Sequence, residues 1–102
     1  MVQFYKTCEK IRGPRLLQDQ LVRSSSSVAL NLAEGSEGVT DQNRRRFYRM
    51  SMASLRESQA ILDLLSSAGQ ADYAKRLADE VGACVFRLCQ VLDKKLAQRA
   101  ES

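Results

Sequence analysis

The chain of 102 residues contains no histidine, one proline and five glycines. Lacking histidine, it lacks the commonest general base and the commonest metal ligand. Its cysteines, Cys8, Cys84 and Cys89, are odd in number, have no CxxC spacing and form no zinc pattern. They read as free thiols of a cytoplasmic protein. Neither GxxxxGK[ST] nor GxGxxG occurs, and "GSEG" has no strand-to-helix context for holding a phosphate. The carboxylates are dispersed, and even the neighbours Asp79 and Glu80 point about 100° apart on a helix. No enzyme, metal or cofactor is therefore expected. No apolar run approaches the ~20 residues that span a bilayer, so no membrane partner is expected either. The charged start "MVQFYKTCEK" argues against a secretion signal.

So few turn residues, together with abundant Ala, Leu, Arg, Gln and Glu, point to one domain over residues 1–102 built from a few long helices. A short amphipathic piece, about 2–11, carries Phe4, Tyr5, Cys8 and Ile11 at helical spacing. Gly13-Pro14 interrupts it, and Pro14 suits the front of a second helix, about 14–33. Leu17, Leu21, Val28 and Leu32 share one face of that helix, and Ser24 and Ser25 occupy the middle of the same face.

The run "RSSSSVALNLAEG" thus resists its first reading as a linker, because no glycine interrupts it and the apolar phase continues across it. Small side chains there allow a neighbouring backbone to approach. Each hydroxyl can bond back to the carbonyl one turn earlier and needs no outside partner. Gly35 is expected to end the helix in the left-handed conformation, and Thr40 or Asp41 to cap a third helix over about 41–66. Gly69 is read as the next breaker. A fourth helix, about 71–97, is expected to bury Leu77, Val81, Cys84, Leu88 and Val91 in a 3-4 repeat, with "QRAES" fraying.

The third helix carries two apolar stripes, one of Phe47, Met50, Ser54, Ile61 and Leu65, the other of Tyr48, Leu55 and Leu62. One suffices for an isolated bundle, so the second is either spent on another subunit, the favoured reading, or widens the core. The net charge is +4, and residues 42–56 hold five arginines and no acid. Arg45, Arg49 and Arg56 fall within about 40° of one another around the helix. Such a line either grips phosphates or is a solvated charged face.

"QLVRSSSSVALNLAEG" (20–35) and, more weakly, "FYRMSMASLRES" (47–58) resemble two signature blocks of a bacterial four-helix-bundle family. That family includes proteins encoded in 23S rRNA intervening sequences and the related accessory variability determinant proteins of diversity-generating retroelements. Gln59 stands where the second acid of the usual Glu-x-Glu would be. The resemblance implies an antiparallel, up-and-down four-helix bundle assembling as a ring-like homopentamer. It assigns signature positions to Gln20, Arg23, Ser27, Asn31, Glu34, Gly35 and Glu57. These read as structural: Asn31 and Glu34 would organise the helix end and its loop, and Arg23 would meet a carboxylate across a helix or subunit boundary.

The resulting expectation is a non-catalytic, oligomeric, cytoplasmic accessory protein of the intervening-sequence type. It would bind RNA or DNA backbone through Arg44, Arg45, Arg49 and Arg56, with Lys75, Arg76, Lys94 and Lys95 as additions. The alternative is a protein-binding adaptor for a reverse transcriptase, as in the retroelement branch, or for another ribonucleoprotein component.

Overall fold

The computed structural model describes residues 2–65 and 70–101, and the described residues form four α-helices and no strands. The helices are α1 (Val2–Glu9), α2 (Arg15–Ser36), α3 (Asp41–Leu64) and α4 (Gln70–Glu101). They pack into a rod of 52 × 19 × 19 Å. The expected break at Gly69 lies outside the described residues.

Along the rod, α3 lies against α2 on one side and α4 on the other, while α1 packs on α2 and touches α4. The serine run lies inside α2, with Ser24 and Ser25 both buried. Three of its hydroxyls bond back as anticipated, Ser24 to Leu21 O, Ser25 to Val22 O and Ser26 to Arg23 O. The expectation that they need no outside partner does not hold. Ser24 and Ser58 share a hydrogen bond of 2.7 Å, Ser27 and Ser54 one of 2.8 Å, and Ser51 donates to Val28 O at 2.9 Å. Each hydroxyl carries one proton. In the Ser24–Ser58 pair one hydroxyl therefore donates across the seam, and the other donates to its own helix, at Leu21 O or Ser54 O. The small residues permit the close approach, and the hydroxyls also bond across it.

Thr40 caps α3 as its sequence position suggests, accepting from the Asn43 amide at 3.2 Å. Gly35 behaves differently from the expectation. No described glycine has a positive φ, and α2 continues through Gly35 to Ser36. The late carbonyls find other partners: Arg44 Nε donates to Gly35 O and Ser36 Oγ to Leu32 O, both at 2.8 Å. What Gly35 supplies is room, since a β-carbon there would lie 2.6 Å from Cε1 of Tyr48.

The seam of α4 is turned by one residue from the anticipated stripe. Ala71, Ala74, Ala78, Val85 and Leu92 are buried, whereas Leu77 and Val81 are only partly so, and Cys84, Leu88 and Val91 are exposed. One residue is about 100° of helix. The reason is the short distance between α3 and α4: a β-carbon at Gly82 would already touch Leu55 Cδ2 at 3.2 Å. Alanines fill the seam before Gly82, and Val85 and Leu92 fill it beyond. The eight residues of α1, about 12 Å of helix, are too short to cover the displaced strip over all of α4. Of the two stripes on α3, the one of Tyr48, Leu55 and Leu62 is in the core, joined by Ser51, Ser58, Ile61 and Leu65, while Met50 is exposed. Among the described residues the end of α4 does not fray: the helix reaches Glu101, and Arg99 Nη1 pairs with Asp41 at 2.7 Å, while Ser102 lies outside the described residues.

Candidate nucleic-acid interface

The start of α3 and the end of α4 come together at one end of the rod and bring their charges with them. Asp41, in the first turn of α3, is reached by Arg44 at 3.6 Å, Lys95 at 3.5 Å and Arg99 at 2.7 Å. Its place at a helix N-terminus suits a carboxylate. Burial opposes its ionisation, but Lys95 and Arg99 outweigh that and hold its carboxyl below the usual value. One turn further along α3, Arg45 and Arg49 both reach Asp93 Oδ1, at 3.3 and 3.2 Å. Five cationic side chains therefore meet two carboxylates at Asp41 and Asp93, while the exposed Glu34 and Glu37 lie at the same end of the rod on α2 and the loop after it.

Two shallow grooves flank Arg49. One, of ≈ 350 Å³, is lined by Gln42, Arg45, Arg46, Arg49, Met50 and Ala53. The other, of ≈ 320 Å³, runs between α3 and α4 and takes in Arg49, Met52, Arg56, Phe86, Cys89 and Asp93. Arg46, Arg56 and Lys94 are exposed, with no ion pair among the described residues.

The eight anticipated basic residues do not form one patch. Arg44, Arg45, Arg49 and Lys95 are together, Arg56 continues the line along α3, and Lys94 lies outward beside Lys95. Lys75 pairs with Asp63 at 3.3 Å, and Arg76 sits over the Tyr73 ring at 5.7 Å. Both lie near the start of α4, about 19 residues or roughly 28 Å of helix from Lys94. Arg44 is turned inward to Gly35 and Asp41, so its guanidinium is largely structural. Asp93, Arg99 and Phe86 were not anticipated, and Asp41 only as a possible cap of α3. No spacing within one helix reveals them, because their roles depend on which residues of α3 and α4 face each other.

Among the described residues, no group of three or more His, Cys, Asp or Glu side chains is placed to hold a metal ion, and no helix is long and apolar enough to cross a membrane.

Of the signature residues, Ser27 and Asn31 meet at the α2–α3 seam, and Gly35 is buried against Tyr48. Asn31 Nδ2 donates to Ser27 O at 2.9 Å and to Ser27 Oγ at 3.1 Å, which orients the hydroxyl toward Ser54. It serves the seam rather than the loop, whose organiser is Arg44. Gln20, Arg23, Glu34 and Glu57 are exposed, and Arg23 makes no ion pair among the described residues. The family model of the 23S rRNA-intervening sequence protein matches residues 1–92. The chain belongs to that family. No curated protein and no solved structure matches it. In this intervening-sequence protein the matched region holds α1 to α3 and most of α4, including Arg44, Arg45, Arg49 and Arg56, but stops one residue before Asp93. Asp93, Lys94, Lys95 and Arg99 fall outside the match.

Proposed function

We propose that this protein is a non-catalytic, oligomeric accessory protein that binds nucleic-acid backbone through the α3–α4 end of the rod. The observation that carries the reading is the excess of cations over carboxylates in the ion pairs around Asp41 and Asp93, next to the exposed Arg46, Arg56 and Lys94. Phosphates attract such a cluster without regard to sequence and release counterions on contact. Family membership is consistent with an RNA-related setting.

The chain forms an antiparallel bundle that assembles as a ring-like homopentamer. Support comes from the reversed order of the α2–α3 contacts (Ser24 with Ser58, Ser27 with Ser54) and from large apolar side chains left exposed on the rod. Leu30 and Met50 lie beside the α2–α3 seam, and Leu88 and Val91 on the free flank of α4. Leu88 and Val91 line one groove, and exposed apolar surface that is contiguous marks a contact with another chain. In a ring, weak phosphate contacts add up along one strand.

The test is a gel shift with RNA across a salt series, beside light scattering for the assembly. Binding should weaken steeply with salt, and the pair Arg45→Glu with Arg49→Glu should abolish the shift while leaving the particle mass unchanged. Salt-insensitive binding, or an unaffected double variant, would sink the reading. Stoichiometric, nuclease-resistant co-purification of one protein without RNA binding would instead identify an adaptor for a reverse transcriptase or another ribonucleoprotein component.

A further inference from the structure

The groove of ≈ 320 Å³ between α3 and α4 contains a residue that the phosphate reading does not use. Phe86 is 54% exposed and stands in the same groove as Arg49 and Arg56. Its neighbour Val85 is fully buried, so the ring projects sideways from the core face, by about 100°. The other half-exposed ring on α4, Tyr73, lies under the Arg76 guanidinium. No such cation covers Phe86 among the described residues.

An exposed aromatic often marks a contact between copies of a chain, but the surroundings of Phe86 disfavour that occupant. A second apolar surface placed here would take Arg49 and Arg56 out of water. Arg56 has no carboxylate partner among the described residues, and Asp93 is already shared by Arg45 and Arg49. Burying a guanidinium without a partner is costly, and charged side chains are depleted at interface centres. A polyanion reverses that balance, because it brings the missing charge. An aromatic platform beside a track of guanidiniums is how single strands are held: phosphates follow the charge and a base lies on the ring. A duplex keeps its bases stacked inside and offers the ring nothing.

We infer that this groove takes single-stranded nucleic acid, with an unpaired base stacked on Phe86 and the adjoining phosphates on Arg49 and Arg56. This rests on the nucleic-acid reading above and adds the strandedness of the ligand. Arg45 and Arg46 continue the track past Arg49 through the neighbouring groove.

Fluorescence anisotropy with labelled oligouridylate, oligothymidylate and an RNA duplex of the same length tests it. Phe86→Leu keeps the apolar bulk and removes the stack. Its affinity for both single strands should fall by about 5- to 150-fold, the range spanned by losing one stacked base, with duplex binding unchanged. Phe86→Tyr should bind like the parent. The chain has no tryptophan, so Phe86→Trp supplies a single reporter, whose emission should be quenched by the single strands and not by the duplex. Equal behaviour of the two single strands would assign the shared chemistry, and a preference for oligouridylate would assign RNA.

The inference is overturned if Phe86→Leu binds single strands like the parent or loses the same factor on the duplex. It is also overturned if that variant breaks the assembly by light scattering, which would make Phe86 a contact between copies. In all three cases binding lost through Arg45→Glu with Arg49→Glu leaves the broader reading standing. If the parent binds none of the three probes, both readings fall together.

Discussion

Alanine at position 35 tests what the glycine of the "NLAEG" block is for. An added β-carbon would lie 2.6 Å from Cε1 and 2.9 Å from Cδ1 of Tyr48, and 3.3 Å from Cβ of Phe47. Carbon atoms rest about 3.5–4.0 Å apart, so the ring has to retreat by roughly 1 Å. Tyr48 is buried in the core cluster but also lines a groove of ≈ 430 Å³ with Ser36 and Arg44, toward which part of the strain relaxes. Overpacking of this sort costs about 1–3 kcal/mol. Removing a glycine from a helix returns about 0.5–1 kcal/mol. The net expectation is a loss on the order of 1–2 kcal/mol, each kcal/mol lowering Tm by about 4–8 °C in a domain of this size.

Melting followed by circular dichroism, at one fixed protein concentration because assembly shifts Tm, gives the comparison. A left-handed cap would also be damaged by alanine, so the single variant does not separate the two roles. Gly35→Ala combined with Tyr48→Leu does: the smaller side chain should recover much of the loss if the ring is the obstacle, and none if the backbone is. Gly38→Ala serves as the control. Its β-carbon meets nothing within 4 Å and its φ is not positive, so a gain of about 0.4–1 kcal/mol is expected. A Gly35→Ala protein that melts as high as Gly38→Ala would refute the reasoning.

Three further outcomes follow from the charges and thiols. Asp93→Asn releases Arg45 and Arg49 from their shared carboxylate. RNA affinity should rise, and the slope of log K against log salt should steepen by up to about 0.9 per phosphate gained; a variant that binds no tighter would show that these arginines hold no phosphate. Burial pushes the Cys8 thiol up to about 12, against a smaller opposing pull from its hydrogen bond with Ser25, and Cys84 is exposed. Because the thiolate is the reacting form, mass spectrometry at neutral pH should find Cys84 alkylated early and Cys8 only in denaturant, and equal rates would contradict the packing of α1. Asp41 is held below its usual value, so its contribution to stability is complete above the unfolded carboxyl's value of about 3.9 and drains away as pH falls through the lower folded one. Asp41→Asn should flatten the acid limb of a denaturation series below about pH 4, and an unchanged limb would remove Asp41 from the stabilising set.

What could be read from the sequence, and what could not, divides at the boundary between one helix and two. Helical period locates the serine run inside α2, and local residue types narrow the cap of α3 to Thr40 or Asp41, because both depend on neighbours along the chain. The partners of those serines depend on how α2 and α3 slide past each other, and one helix carries no record of that. The same holds for Arg45 and Asp93, which are 48 positions apart. In α4 the apolar pattern offers two adjacent stripes, and hydrophobicity ranks the leucines above the alanines. Interhelical distance favours the alanines up to Gly82, where a β-carbon would meet Leu55 of α3 at 3.2 Å, and Val85 and Leu92 take over beyond it. That choice has a functional consequence. It moves Leu88 and Val91 out of the core to one flank of α4, while Phe86 and Asp93 face the basic groove on the other. A second copy seated on the flank of Leu88 and Val91 would therefore leave the groove of Arg49, Arg56 and Phe86 open, whereas one seated on Met50 would also cover the groove of Arg45 and Arg46.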